Sequence, residues 1–305
     1  MGTHVSCAEA RPGRSSVAAV TGVEVREAGE ADLPAIARVA QATGQDEEWA
    51  VDYPAYLRHL LAHGRVVVAA RDGSVIGFGA TRQLGGGEAE VSMLCDLFVD
   101  PRVQGSGCGR AMLSRLWPGT GRRMTFSSQH AYALPLYARF GLDAWWPLLY
   151  LRGAVAALPP PAGWQAGPAA AAEVAALELA WTGVDRSDDH RAWARRPGGA
   201  GVLARRRDRV AAAGTVGGAG GEYGVIHLAL APWAGAAADA SAVVLAVLAG
   251  LEPGDGLARV CLPGPHPAVR ALLAAGWRVE DFDLFMASEP GLLDPGRAVP
   301  SPALA

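Results

Sequence analysis

Val99-Asp100-Pro101-Arg102-Val103-Gln104-Gly105-Ser106-Gly107-Cys108-Gly109-Arg110 is the stretch on which the fold turns. The run before it, Glu90–Val99, has the composition of a strand, and Asp100-Pro101 ends it because proline cannot donate to a ladder. The run after it, Gly109–Trp117, turns Met112, Leu113 and Leu116 inward and predicts a helix stopped by Pro118-Gly119. Between the two, Gly105, Gly107 and Gly109 permit positive φ and a close backbone approach. Their N–H groups, with those of Ser106 and Cys108, can converge on anionic oxygens at a helix N-terminus, which suits a pyrophosphate. An ordinary glycine-rich turn is the alternative. A dinucleotide-binding fingerprint fails, because Gly107-Cys108-Gly109-Arg110-Ala111-Met112 lacks the third glycine.

Working outward, Val23–Arg26 alternates like a strand, Asp32 can cap a helix through Ile36, Val39 and Ala40, and Pro54–Leu61 fits a second helix. Arg65–Arg71 and Val75–Leu84 read as a hairpin about Asp72-Gly73. Downstream, Met124–Ser127 is a short strand, Tyr132–Phe140 a helix closed by Gly141, and Ala144–Leu151 a final strand. The proline-rich run Leu158–Gly163 reads as a linker, and the order of elements then repeats. Helices fit Ala169–Leu179 and His190–Arg195, strands fit Gly201–Arg206, Arg209–Val216 and Tyr223–Leu230, and a helix, strand, helix and strand follow up to Ala287. A repeat of this length is duplication of a whole domain. The expected organisation is a disordered lead-in (1–20), a first domain (21–155), a linker (156–163), a second domain (164–290) and a flexible tail (291–305).

The central motif resembles the signature of the GNAT acyltransferase superfamily: a strand ending in Val-x-Pro, then [Gln/Arg]-x-x-Gly-x-[Gly/Ala], then a helix. Gln104, Gly107 and Gly109 fill its fixed positions. A second segment, His130-Ala131-Tyr132-Ala133-Leu134-Pro135-Leu136-Tyr137-Ala138-Arg139-Phe140-Gly141-Leu142, is similar to the family's later Asn-x-x-Ala-x-x-Leu-Tyr-x-x-x-Gly-Phe. Here His130 replaces the usual Asn and Leu142 the usual Phe. The resemblance covers roughly Val23 to Arg152.

It implies an α/β (α+β) fold of two tandem GNAT-like domains, each a mixed, mostly antiparallel twisted sheet flanked by helices. It further implies acetyl-CoA as cosubstrate, held by the backbone of Leu97, Phe98 and Val99 and by the loop Gln104, Gly105, Ser106, Gly107, Cys108, Gly109 and Arg110. An amine attacks directly, and Tyr137 gives a proton to the leaving thiolate. Asp96 is read either as the base or as a structural acceptor, with Glu90 a weaker candidate. His130 is read as a cofactor or water ligand, a proton relay, or a structural histidine. Acceptor choice is expected from the segment holding Asp46, Glu47, Glu48, Trp49, Asp52 and Tyr53.

The second half resembles the worn copy of tandem GNAT proteins, with Trp181–Ser187 similar to a segment that recurs there. Ala231–Ala237 replaces the loop, and Leu272 stands where a tyrosine would. No cofactor turnover is expected from it. Asp185, Arg186, Asp188, Asp189 and His190 are polar enough to touch the acceptor.

Composition sets outer bounds. All 27 cationic side chains are Arg, and formal net charge is -3. The missing lysine excludes a phosphate-loop lysine and lysine Schiff-base chemistry. No basic stripe predicts nucleic acid, no apolar run predicts a membrane span, and the four scattered Cys predict neither a metal site nor disulfides. The expectation is a cytoplasmic monomer acetylating a small-molecule amine. The alternatives are a non-catalytic acyl-CoA sensor, a hydroxyl acceptor, or a longer acyl group.

Overall fold

The computed structural model describes residues 22–44, 53–160, 163–219, 222–252 and 254–304. The expected lead-in and the acidic segment Asp46–Asp52 lie outside them.

The first half runs β1 (Glu24–Glu27), α1 (Leu33–Ala42), α2 (Tyr53–His63), β2 (Arg65–Arg71), β3 (Ser74–Leu84), β4 (Val91–Val99), α3 (Cys108–Leu116), β5 (Arg122–Ser127), α4 (Ala133–Arg139) and β6 (Asp143–Ala154). The second runs β7 (Gln165–Ala169), α5 (Ala171–Thr182), α6 (Ser187–Trp193), β8 (Ala200–Arg206), β9 (Arg209–Ala219), β10 (Glu222–Leu230), α7 (Ala237–Ala249), β11 (Leu257–Pro263), α8 (Ala268–Ala274) and β12 (Arg278–Ala287). A short β13 (Ala298–Val299) follows. The repeat foreseen in the sequence is therefore real, and each half has the mixed, mostly antiparallel sheet expected of it.

Local causes are plain. β2 is buried on both faces from Val66 to Ala70, which is why its sequence is a run and not an alternation. Asp72 and Gly73 both have positive φ, 49° and 75°, the turn that matches strand twist in a hairpin. Asp32 differs from expectation. Its carboxylate accepts from the Gly29 N–H at 2.9 Å and from the Arg26 guanidinium at 2.7 Å, and makes no cap bond into α1.

Three features depart from the domain reading. First, the halves share one sheet, ordered β1-β2-β3-β4-β5-β12-β6-β11-β10-β9-β8-β7. β12 of the second half lies antiparallel between β5 and β6, and β6 of the first half lies between β12 and β11. Each half thus completes the sheet of the other, and the boundary at the linker is not a boundary between sheets. Second, β7 is a strand that the small residues Gln-Ala-Gly-Pro-Ala do not advertise. It is tolerated with Pro168 because it is the edge strand beside β8. Third, the tail is not loose. β13 pairs antiparallel with β10, and Val299, Ser301 and Leu304 are buried.

Among the described residues no helix is long and apolar enough to cross a membrane.

The tail yields a test. Burying a Val or Leu side chain stabilises by about 1.5–3 kcal/mol each, and Val299 and Leu304 are both buried. Deleting residues 295–305 should therefore lower unfolding stability by at least about 3 kcal/mol in urea titration. An unchanged midpoint would mean that the tail contributes nothing to the fold.

Candidate functional site

β4 pairs along its length with β3, but with β5 only from Val91–Arg122 to Leu94–Thr125. A bulge at Cys95, where the β3 register slips between Ala80 and Thr81, bends β4 away. Leu97, Phe98 and Val99 are then bonded to β3 on one side and open to a gap on the other.

The gap leads to the loop. The Asp100 carboxylate accepts from the Arg102 N–H at 3.0 Å and from its guanidinium at 2.5 Å, which holds the carboxyl down to about 2. The Gln104 side-chain amide donates to the Val99 carbonyl at 3.1 Å, so this side chain ties loop to strand. Gly105 and Gly107 have φ of 75° and 90°, where a side chain would be strained. Gly107 is the N-cap of α3, so the unpaired first-turn N–H groups face the loop. Ser106 and Arg110 are exposed, whereas Cys108 is buried and burial pushes its thiol up to about 11. Only the main chain of Cys108 is available to a ligand.

Two protonic groups flank the gap. Tyr137 on α4 is 6% exposed and packs with Leu94, Leu97, Met112 and Met286. Its hydroxyl is held protonated far above the ordinary tyrosine range, first by burial and then by the negative charges of Asp283 and Asp96. Asp96, 4% exposed, accepts a hydrogen bond from the Tyr56 hydroxyl at 2.9 Å. Burial raises its carboxyl to about 7 against the opposing effect of that hydrogen bond.

The remaining expectations divide. His130 is exposed, accepts weakly from the Tyr132 N–H at 3.4 Å, and lies 5.6 Å from the Tyr132 ring, centroid to centroid. Its contacts are those of a residue shaping the entry to α4. Glu90 is exposed at the opposite end of β4 from Asp96. Asp188 pairs with His63, and Asp189 with His59 and Arg82, all three from the first half. Arg186 bridges Asp189 and Glu178 and donates to the Leu304 carbonyl at 2.7 Å. His190 and His227 both bond Glu178. Burial by itself would raise Glu178, but His227, His190 and Arg186 hold it ionised. Arg186, Asp189 and His190 therefore form a buried seam, not an acceptor surface. Tyr56, and Asp283 with Tyr150, were not singled out from the sequence. Asp283 reaches the site only through strand exchange, which no local pattern announces.

The second half repeats the geometry with different contents. β10 has its bulge at Ile226 and pairs with β11 only from Tyr223 to Val225. Measured back from Pro101 and Pro232, His227 takes the position of Asp96, and Leu228 and Ala229 take those of Leu97 and Phe98. There β13 fills the gap, Val299 opposite Leu228 and Ala298 opposite Ala229, with the Leu230 N–H donating to Arg297 O at 2.9 Å.

A sheet splayed beside a glycine loop at a helix N-terminus is built to receive an extended ligand with an anionic end. Residues 62–141 match the family model described as "Acetyltransferase (GNAT) domain". The match lies within the first half, and the chain as a whole has a fold of two GNAT-like halves. A search of curated proteins finds no match. Among solved structures, a candidate acetyltransferase from Pyrococcus horikoshii aligns with TM-score 0.67 at 14% identity, over 93% of this chain and 95% of that one. A tandem GNAT protein from the clavulanic acid biosynthesis pathway aligns at 0.55 and 14%, over 89% and 100%. A GCN5-related N-acetyltransferase from Kribbella flavida aligns at 0.54 and 15%, over 87% and 71%. At such identities these likenesses speak for the fold.

Asp96 makes a pH prediction. Its folded value of about 7 lies above the ordinary 3.8. Between these values the folded state holds a proton that the unfolded state has lost, so this group's contribution to stability falls as pH rises from about 4 to about 7. Asp96→Asn should remove that slope. A wild-type and variant stability difference that is constant over this range would contradict the raised value.

Proposed function

We propose that the chain is an acetyl-CoA-dependent N-acetyltransferase acting on a small-molecule amine within a ternary complex. The observation that carries this reading is the open edge of β4 at Leu97–Val99, with Asp96 at its start and Tyr137 across the gap.

Bound acetyl-CoA would supply the activated acyl group. The residues present fit it: beyond Leu94, β4 has no ladder with β5, so its main chain faces the gap in which an amide-bearing arm would lie. The N–H groups at the start of α3 face the loop where a pyrophosphate would lie. An N–H of β4 polarises the thioester carbonyl. Asp96, with its carboxyl near 7, is matched to take the ammonium proton in neutral solution. The amine nitrogen then bonds to the acyl carbon as the C–S bond breaks. Tyr137 keeps its proton throughout the neutral range and delivers it to the departing thiolate. The nitrogen sheds its second proton as the amide forms, and that proton restores Tyr137; the products are an acetamide, a free thiol and the proton held by Asp96. His130, exposed at the entry to α4, is assigned no proton step.

The second half contributes no cofactor site on this reading. Its equivalent cleft is filled by the chain's own β13, and its equivalent of Asp96 is bound to Glu178. Because the two halves exchange strands within one chain, a monomer suffices.

Two experiments test the proposal. Calorimetry with acetyl-CoA should give one site per chain; two equivalent sites would refute the reading of the second half. Tyr137→Phe should keep acetyl-CoA affinity within a few-fold and lower kcat by roughly 10²-fold, the scale of a lost general acid. A wild-type kcat in that variant, with chemistry rate-limiting, would remove Tyr137 from the mechanism.

A further inference from the structure

The helix that faces Asp96 is held in place by the other half. On α2, Tyr56, His59 and His63 recur at i, i+3 and i+7 and so share one face. The Tyr56 hydroxyl donates to Asp96 at 2.9 Å. One turn on, His59 Nε2 meets the Asp189 carboxylate of α6 at 2.6 Å, and a turn further His63 Nδ1 meets Asp188 at 3.0 Å. Arg82 of β3 joins them, paired with Asp189 at 3.0 Å and donating to the His63 carbonyl at 2.7 Å.

Apolar contact across this junction is incomplete. Tyr56 shares a buried cluster with Trp193 and Leu304 of the second half, but a cleft of about 90 Å³ lies there, lined by Tyr56, His59, Trp193 and Leu304 among others. The pairs at His59 and His63 therefore locate the helix along the sheet. At Asp96 the Tyr56 bond both aims the carboxylate and favours its ionised form against burial. The other groups that face this carboxyl are few. Cys95 precedes it on β4, its thiol pushed up by burial, and Tyr137 of α4 stays protonated across the gap. Asp283 of β12 acts on Tyr137. Asp189, Arg82 and Arg186 all act on Cys95, the carboxylate opposing the two guanidinium groups.

We propose that Tyr56 is the positioning residue of the base Asp96, and that the second half sets its place through the Asp189–His59 pair. This rests on the reading that Asp96 takes the ammonium proton. Asp96 meets the amine, Tyr56 acts only through Asp96, and Asp189 acts only through α2. The half whose own cleft is filled by β13 thus takes part in the reaction of the other half, by holding the helix that aims the base.

The test follows the Asp96 carboxyl by NMR in full-length protein isotope-labelled at the aspartate carboxyl carbons, with Asp96→Asn identifying its signal, so that no amine is needed. Tyr56→Phe removes only the hydroxyl. It should raise the titration midpoint by about one pH unit or more, the scale of a lost hydrogen bond to a charged group. Asp189→Asn should raise the midpoint too, by less. That direction is diagnostic, because losing a nearby negative charge through space alone would lower it. If circular dichroism finds Asp189→Asn unfolded, His59→Gln takes its place with the same expected rise. With butylamine and acetyl-CoA, thiol release by Tyr56→Phe should fall about fivefold or more at about pH 7 and recover by about pH 9. A merely structural defect would not recover. Where wild type does not turn over butylamine, the midpoints decide. An unmoved midpoint in Tyr56→Phe overturns the role of Tyr56. A midpoint lowered or unmoved in Asp189→Asn, or unmoved in His59→Gln, overturns the role of the second half. Either result leaves amine acetylation standing. Turnover of butylamine by Asp96→Asn at the wild-type rate overturns Asp96 as the base, and this inference with it.

Discussion

The backbone ladder that seats β12 between β5 and β6 is the constraint on which the rest depends. Without it, β5 would end the first sheet and β6 would have no partner on that side. With it, the two halves become one sheet, and the gap beside β4 is bounded on its far side by residues that the second half supplies. Asp283 is the clearest case: a residue near the end of the chain adds its charge to the field around Tyr137. The seam of Arg82, Asp189, Arg186 and Glu178 fixes β3 of the first half against α5 and α6 of the second. Buried ion pairs of this kind add little net stability but are costly to break singly, so the seam fixes orientation more than it strengthens the fold.

The same backbone device, a bulge followed by a splay, occurs twice and serves two ends. In the first half it leaves a buried carboxyl near neutrality beside an open edge. In the second it leaves His227, whose imidazole burial pushes down, bonded to a Glu178 held ionised by its cationic neighbours. One site has a group ready to change protonation, while the other is locked by mutual compensation and covered by β13. Identical geometry thus diverges through what fills the gap.

Much of this was legible in the sequence. The strand, loop and helix around Gln104–Gly109 could be read because glycines, a proline and an amphipathic run each act locally. The internal repeat was legible because element order survives loss of sequence. Tyr137 and Asp96 could be located by spacing from Gly141 and along β4. Three things could not. The pairing of β12 with β5 is a long-range choice between apolar strands of similar composition. The Tyr56 hydroxyl bond depends on how α2 lies over the sheet. The tail looks like a loose terminus, because Pro-Gly-Arg-Ala-Val-Pro-Ser-Pro carries no periodicity, although Val299 and Leu304 are among the best buried residues.

Strand exchange also orders events during synthesis. Domains form as the chain emerges, N-terminal first, yet β5 and β6 must wait for β12, which emerges only after the rest of the second half from β7 to α8. Until then the first half exposes a sheet edge, an aggregation hazard that a self-contained domain would not have. Arrival of Arg278–Ala287 closes that edge, and only then does the charge of Asp283 join the field around Tyr137. A ribosome that stops short therefore releases a chain with the glycine loop and Tyr137 in its sequence but with its sheet unfinished.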